Sequence, residues 1–148
     1  MRIALLSLLA LLLGASPALA HHAVAHDILL TGAPRILLSA SAPDTAQVHL
    51  ALRNRSRHEH RVIAAESPVA GNASIVREVP SSPGESRHLD GHDGIPVPAR
   101  GTLHLRPGGP HILLTGVSSA LRPGEIVAVT LRFQDQSVLK LAAEVREN

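Results

Sequence analysis

Val127-Ala128-Val129-Thr130-Leu131-Arg132-Phe133, followed across Gln134 to Ser137 by Leu139-Lys140-Leu141-Ala142-Ala143-Glu144-Val145, is the stretch whose reading decides the fold class. In the first run Val127, Val129, Leu131 and Phe133 alternate with Ala128, Thr130 and Arg132. In the second, Leu139, Leu141, Ala143 and Val145 alternate with Lys140, Ala142 and Glu144. A period of two is the mark of a strand with one face buried, and two such runs around a short polar link predict a hairpin that closes the domain. Further back, Val48, Leu50 and Leu52 alternate with His49, Ala51 and Arg53, which predicts a half-buried strand over Gln47 to Arg53 with His49 facing outward. Shorter runs stand at Ile28 to Thr31, Arg35 to Ser39, Arg61 to Glu66, Ala73 to Val79, Thr102 to Arg106 and His111 to Thr115. Links such as Arg106-Pro107-Gly108-Gly109-Pro110 carry turn residues between them. No stretch after residue 20 shows a helical period, so the fold class is all-β, an antiparallel sandwich or Greek-key barrel. The polar segment Pro80 to Asp93 interrupts the pattern and is expected to be a loop between two strands.

Composition narrows the function. The chain has 148 residues, 45% of them hydrophobic and 18% charged, enough for one domain with an aliphatic core. Phe133 is the only aromatic residue and cysteine is absent, which removes disulfides, thiolate nucleophiles, iron–sulfur clusters and thiolate-ligated copper centres. Ten histidines stand against one methionine, and histidine is the commonest metal ligand. At the amino terminus, Arg2 precedes an apolar run from Ile3 to Leu13, then Gly14, Ser16, Pro17 and the small-x-small triplet Ala18-Leu19-Ala20. That pattern predicts a signal peptide over residues 1 to 20. The mature domain, 21 to 148, would be periplasmic or secreted and without membrane insertion after cleavage. Loss of Arg2 takes Lys plus Arg from 14 to 13 against 12 Asp plus Glu, so no basic surface of the kind nucleic acid needs is expected. Ser86, His88 and Asp90 lie close in sequence, but no nucleophile elbow or phosphate loop accompanies them, and the chain is not read as an enzyme.

Four blocks carry a family likeness: Leu50-Ala51-Leu52-Arg53-Asn54, Glu66-Ser67-Pro68-Val69-Ala70, Ile95-Pro96-Val97-Pro98-Ala99-Arg100-Gly101 and Leu105-Arg106-Pro107-Gly108-Gly109-Pro110-His111-Ile112-Leu113-Leu114. In this order, and with Leu121-Arg122-Pro123-Gly124-Glu125 before the closing hairpin, the chain from Gln47 to Arg146 resembles the periplasmic copper chaperones called PCuAC. The resemblance implies a cupredoxin-like β-sandwich that binds Cu(I) outside the cytoplasm and passes it to a copper-accepting protein, such as one in cytochrome oxidase assembly. It also implies a ligand set of two imidazoles and two thioethers, the last pair as His-x-Met. Here those positions hold Arg77, His88, His111 and Leu113. Arginine does not give up its proton to ligate a metal and leucine has no donor atom, so the copper motif is degraded.

His111 and His88 remain as principal candidates, with His92 four residues after His88 in the same segment. An all-imidazole set favours Cu(II) or Zn(II) over Cu(I). His104 alternates outward between Leu103 and Leu105 and is a weaker candidate. His58 and His60 lie in a cationic turn that would repel a metal. His21, His22 and His26 would form a His-rich tail beside a new amino terminus, a second capture site. Three readings of function follow: a copper chaperone or scavenger working through histidine, a degenerate sandwich without a copper site that docks a protein partner, or metal binding by the His-rich tail alone.

Overall fold

The closing hairpin forms as its alternation requires. In the computed structural model, which describes residues 25–78, 86–88, 93–118 and 120–147, strands β9 (Ile126–Phe133) and β10 (Val138–Glu147) pair antiparallel from Val138 opposite Arg132 to Glu144 opposite Ile126. Val127, Val129, Leu131 and Phe133 are buried with Leu141, Ala143 and Val145, while Ala128 and Ala142 on the other face are exposed. The connection is held by Asp135, whose Oδ1 accepts hydrogen bonds from the amide and hydroxyl of Ser137.

The other elements are β1 (Ile28–Leu38), β2 (Thr45–Asn54), β3 (His60–Glu66), β4 (Asn72–Glu78), β5 (Ser86–His88), β6 (Ile95–Val97), β7 (Thr102–Leu105) and β8 (His111–Thr115). Every described element is a strand, as the absence of a helical period predicted. Three details differ from the sequence reading. The runs at Ile28 and Arg35 are one strand, because an irregularity between Thr31 and Arg35 absorbs extra residues: four steps along β1 match two along β2. Gly32 sits there at φ 78°, a conformation that costs glycine little. The segment Pro80 to Asp93 is not loop throughout, since β5 adds to the edge of β4 within it. Ile95-Pro96-Val97 is a strand too; the proline is tolerated because β6 ends the sheet order, where one side of the strand has no ladder to complete.

The strands form one sheet in the order β5-β4-β8-β2-β1-β10-β9-β3-β6, with β7 also on β2. All pairs are antiparallel except β1 with β10, which run parallel and join the two halves of the sandwich. The sheet curls so that β3 lies against β4, and β6 against β2 and β7, partners with which they share no such neighbourhood in the sheet order. The space enclosed is filled by Ile36, Val48, Leu52, Leu105, Ile112, Leu114, Val129, Leu131, Phe133 and Val145, all under 2% exposed. Burying side chains of this kind contributes about 1.5–3 kcal/mol each before entropy is set against it, so the core needs no disulfide.

Asn54 is the polar exception inside. It is fully buried at the end of β2, where its Nδ2 donates to the carbonyls of His58 (2.7 Å) and Val97 (3.1 Å) and its Oδ1 accepts from the Ser56 amide (2.9 Å). One side chain thereby ties β2 to β6 and to the turn before β3.

Candidate metal site

Strands β7 and β8 lie end to end along β2. Leu105 stands opposite Leu50 and Ile112 opposite Val48, so residues 106–111 occupy the gap that β2 spans with His49 alone, and 106–110 form an excursion. The excursion is closed by the Arg106 amide donating to the Pro110 carbonyl at 2.9 Å, with Gly108 at φ 70°. His111 is the first residue after it. Because Ile112 faces the core, alternation turns His111 to the opposite, outer face of the sheet, yet it is only 5% exposed. Its Nδ1 lies 3.0 Å from the Gly109 carbonyl. A carbonyl can only accept, so Nδ1 carries the proton and Nε2 keeps the lone pair that a metal needs.

The ladders then assemble a row across the outer face. His111 pairs with Val76 of β4, and Val76 pairs with His88 of β5. Strand spacing of about 4.8 Å puts the backbones of His88 and His111 roughly 10 Å apart with Val76 between them. On the other side, the β2–β8 ladder ends at Val48 opposite Ile112; His49 and His111 are the next residue on each strand, close enough for the charge of His111 to act on His49. Arg35 of β1 follows His49 in the same row. The His49 imidazole is half-buried, and its Nε2 lies 3.2 Å from the Gln47 Oε1. Burial holds His49 below the ordinary histidine range, and its closeness to His111 depresses it further.

This placement separates the sequence candidates. His111 and His88 share a row, as a common site requires. Arg77 does not join it: it pairs with Arg87, is exposed and alternates to the other face, so Val76 is the residue beside His111. Leu113 does lie on the same face as His111, half-buried between Gln47 and Ser74. His104 is exposed on β7 opposite Ala51, outward as expected, and His26 is exposed in a turn. His92, His21 and His22, and the signal peptide expected over 1 to 20, lie outside the described residues. Among the described residues no group of three or more His, Asp or Glu converges in metal-binding geometry.

His58 is exposed, but His60 has a structural place of its own. It packs edge-on against Phe133 with ring centroids 6.4 Å apart, and its Nδ1 lies 3.4 Å from Asp135 Oδ2. The residue that sequence reasoning undervalued is His49. Alternation alone marks it as outward; only the pairing of β2 with β8 brings it beside His111.

Comparison with solved structures agrees with the geometry. The chain is similar to the copper-bound PCuAC domain from PmoF2, with a TM-score of 0.66 and 19% identity over 82% of this chain and 94% of that one, a likeness of fold. It is similar to the Cu(I)-bound solution structure of DR1885 from Deinococcus radiodurans, with a TM-score of 0.65 and 27% identity over 87% of this chain and 86% of that one. The all-β architecture is therefore that of the cupredoxin-like PCuAC domains. In sequence the chain is 36% identical over 86 residues to "Putative lipoprotein Lxx21020" of Leifsonia xyli subsp. xyli (strain CTCB07), covering 58% of this chain. It spans about half, 51%, of the length of that curated relative. The family description "Putative lipoprotein LpqE-like" matches residues 28–145, nearly the whole described domain, and the chain belongs to that LpqE-like family.

Proposed function

We propose that this protein is an exported, cell-envelope metal carrier, a copper chaperone-like module that holds copper through His111 and His88 and yields it to a copper-accepting protein. The observation that carries the reading is the buried His111, proton on Nδ1 held by Gly109, in one cross-strand row with His88. A preset tautomer in a mostly buried position is what an imidazole ligand needs and what a solvated surface histidine lacks. The copper-bound relatives of the same fold support the choice of metal. With His88 and Leu113 in place of sulfur donors, the site is harder than a thioether site and favours Cu(II), with Zn(II) as competitor, over Cu(I). Copper here is cargo, and no catalytic step is proposed.

Export is supported by the apolar run and small-x-small triplet before His21 and by the lipoprotein relatives. The sequence contains no cysteine, so a lipid carried on cysteine has no attachment point in these 148 residues. An acceptor has a candidate docking face at the far end of β2, where Arg53, Arg55 and Arg100 border a shallow concavity. None of the four ion pairs among the described residues involves them. Such a face suits an acidic partner.

The test is a competition titration with Cu(II), Cu(I) and Zn(II), run on the wild type, on His88→Ala/His111→Ala and on a chain lacking residues 21 to 26. Loss of tight binding in the double variant, with the truncation losing only weak binding, is the expected result. Equal loss from the truncation alone would reduce metal binding to the tail and leave the domain as a docking module.

A further inference from the structure

We infer that His49 is a ligand of the same metal site, so that its core is an imidazole pair across β2 and β8, His49 with His111. This inference rests on the proposed function and concerns which side chains hold the metal.

Two observations meet at His49. The first is register. His49 and His111 directly follow the last paired rung, Val48 with Ile112, both on the outer face and close enough to interact by charge; side chains opposed across such a ladder have Cβ atoms about 4.5–5.5 Å apart. Two imidazoles rooted that closely can present nitrogens to one ion without moving the backbone. The second is tautomer. His49 Nε2 lies against the Gln47 Oε1, an oxygen that can only accept, so Nε2 carries the proton and Nδ1 keeps its lone pair. His111 is fixed in the opposite sense, proton on Nδ1 and lone pair on Nε2. Each imidazole thus spends its N–H on an oxygen of the protein, the arrangement that orients ligating histidines and raises their basicity.

The surroundings set the limits of the site. Val76 and Leu113 are the apolar neighbours of His111 on this face and supply no donor. Arg35, the next residue in the row, is exposed and can direct its guanidinium to water; its ladder partner on β10 is Glu144, which already pairs with Arg146. On this chain, then, loss of thioethers from the motif is offset by an imidazole from a strand that the motif does not include.

The experiment is Cu(II) and Zn(II) binding by the full chain with His21, His22 and His26 replaced by alanine, so that the tail is silent. His49→Phe, His49→Gln, Gln47→Leu and His111→Ala are compared, with affinity from competition and nitrogen count from the superhyperfine structure of the Cu(II) spectrum. Circular dichroism confirms that each variant is folded. Both His49 variants should lose one coordinating nitrogen and at least ~100-fold in affinity, whereas Gln47→Leu, which removes only the orienting bond, should lose ~10–100-fold and keep the nitrogen count. Unchanged affinity and nitrogen count in His49→Phe, with binding abolished in His111→Ala, would overturn the role of His49 and leave the proposed carrier standing. Indifference to both substitutions would overturn the two together.

Discussion

Replacing Asn54 by alanine tests how the fold positions β2, the strand that carries His49. The side chain makes three hydrogen bonds, to the carbonyls of Val97 and His58 and from the Ser56 amide. Val97 is fully buried, so its carbonyl would lose its Asn54 partner where water does not reach, at about 1–3 kcal/mol. The bonds to the turn residues Ser56 and His58, nearer solvent, are worth about 0.5–1.5 kcal/mol each. Together these span about 2–6 kcal/mol, centred near ~4. For a domain of this size a loss of 1 kcal/mol lowers Tm by roughly 3–5 °C, so a fall of roughly 12–20 °C is expected. With one Phe and neither Trp nor Tyr, the chain offers no useful intrinsic fluorescence, and the assay is thermal unfolding by far-UV circular dichroism or calorimetry. Asn54→Asp is the sharper control: it keeps an oxygen for the Ser56 amide but turns an acceptor on two carbonyls, and should be at least as destabilised. A Tm for Asn54→Ala within ~3 °C of wild type would refute the reasoning, since it would mean that the buried carbonyl had found water or another donor.

Leu113→Met restores a thioether on the face that carries His111; the swap conserves volume and should cost under ~1.5 kcal/mol in stability while raising affinity for Cu(I) relative to Cu(II) in chelator competition. No gain for Cu(I) would mean that position 113 does not reach the metal. Gly94→Ala should destabilise by more than ~1 kcal/mol, read as a lower urea midpoint, because Gly94 has φ 51° and a Cβ there would sit 2.6 Å from the Val62 carbonyl oxygen where β6 pairs β3. An unchanged midpoint would show that this edge relaxes freely. Asp135 is held below the ordinary carboxylate range, first by the Ser137 hydroxyl, then by the Ser137 amide and His60, with slight burial opposing. Its contribution is therefore present above the ordinary aspartate value and lost as pH falls through the depressed one, so urea midpoints should decline as pH falls below about 4. Asp135→Asn should flatten that decline, and parallel curves for variant and wild type would contradict the assignment.

The strands were legible where one face is buried and the other wet. Val127 to Phe133, Leu139 to Val145 and Gln47 to Arg53 alternate because a half-buried strand imposes that pattern on composition, and each is a strand in the structure. Short or irregular elements were harder to read. Three residues of β5 cannot show a period, Pro96 hides β6, and the irregularity at Gly32 made β1 look like two runs. Of the site, His111 and His88 could be named from the family likeness, and the structure sets them in one row. The same likeness pointed to Arg77, whereas the ladder puts Val76 beside His111, because alternation along β4 decides the face and motif spacing does not count faces.

By itself the sequence determined the class of fold, the aliphatic core without disulfides and which histidines stand as candidates, since these depend on periodicity and residue type, which are local. The tertiary structure alone decided which histidines meet. His49 and His104 carry the same outward signature, yet β2 brings one of them beside His111 while β7 leaves the other in solvent. Strand register between segments more than sixty residues apart made that choice. Register is set by how the whole sheet buries its inner face, which no window of sequence contains.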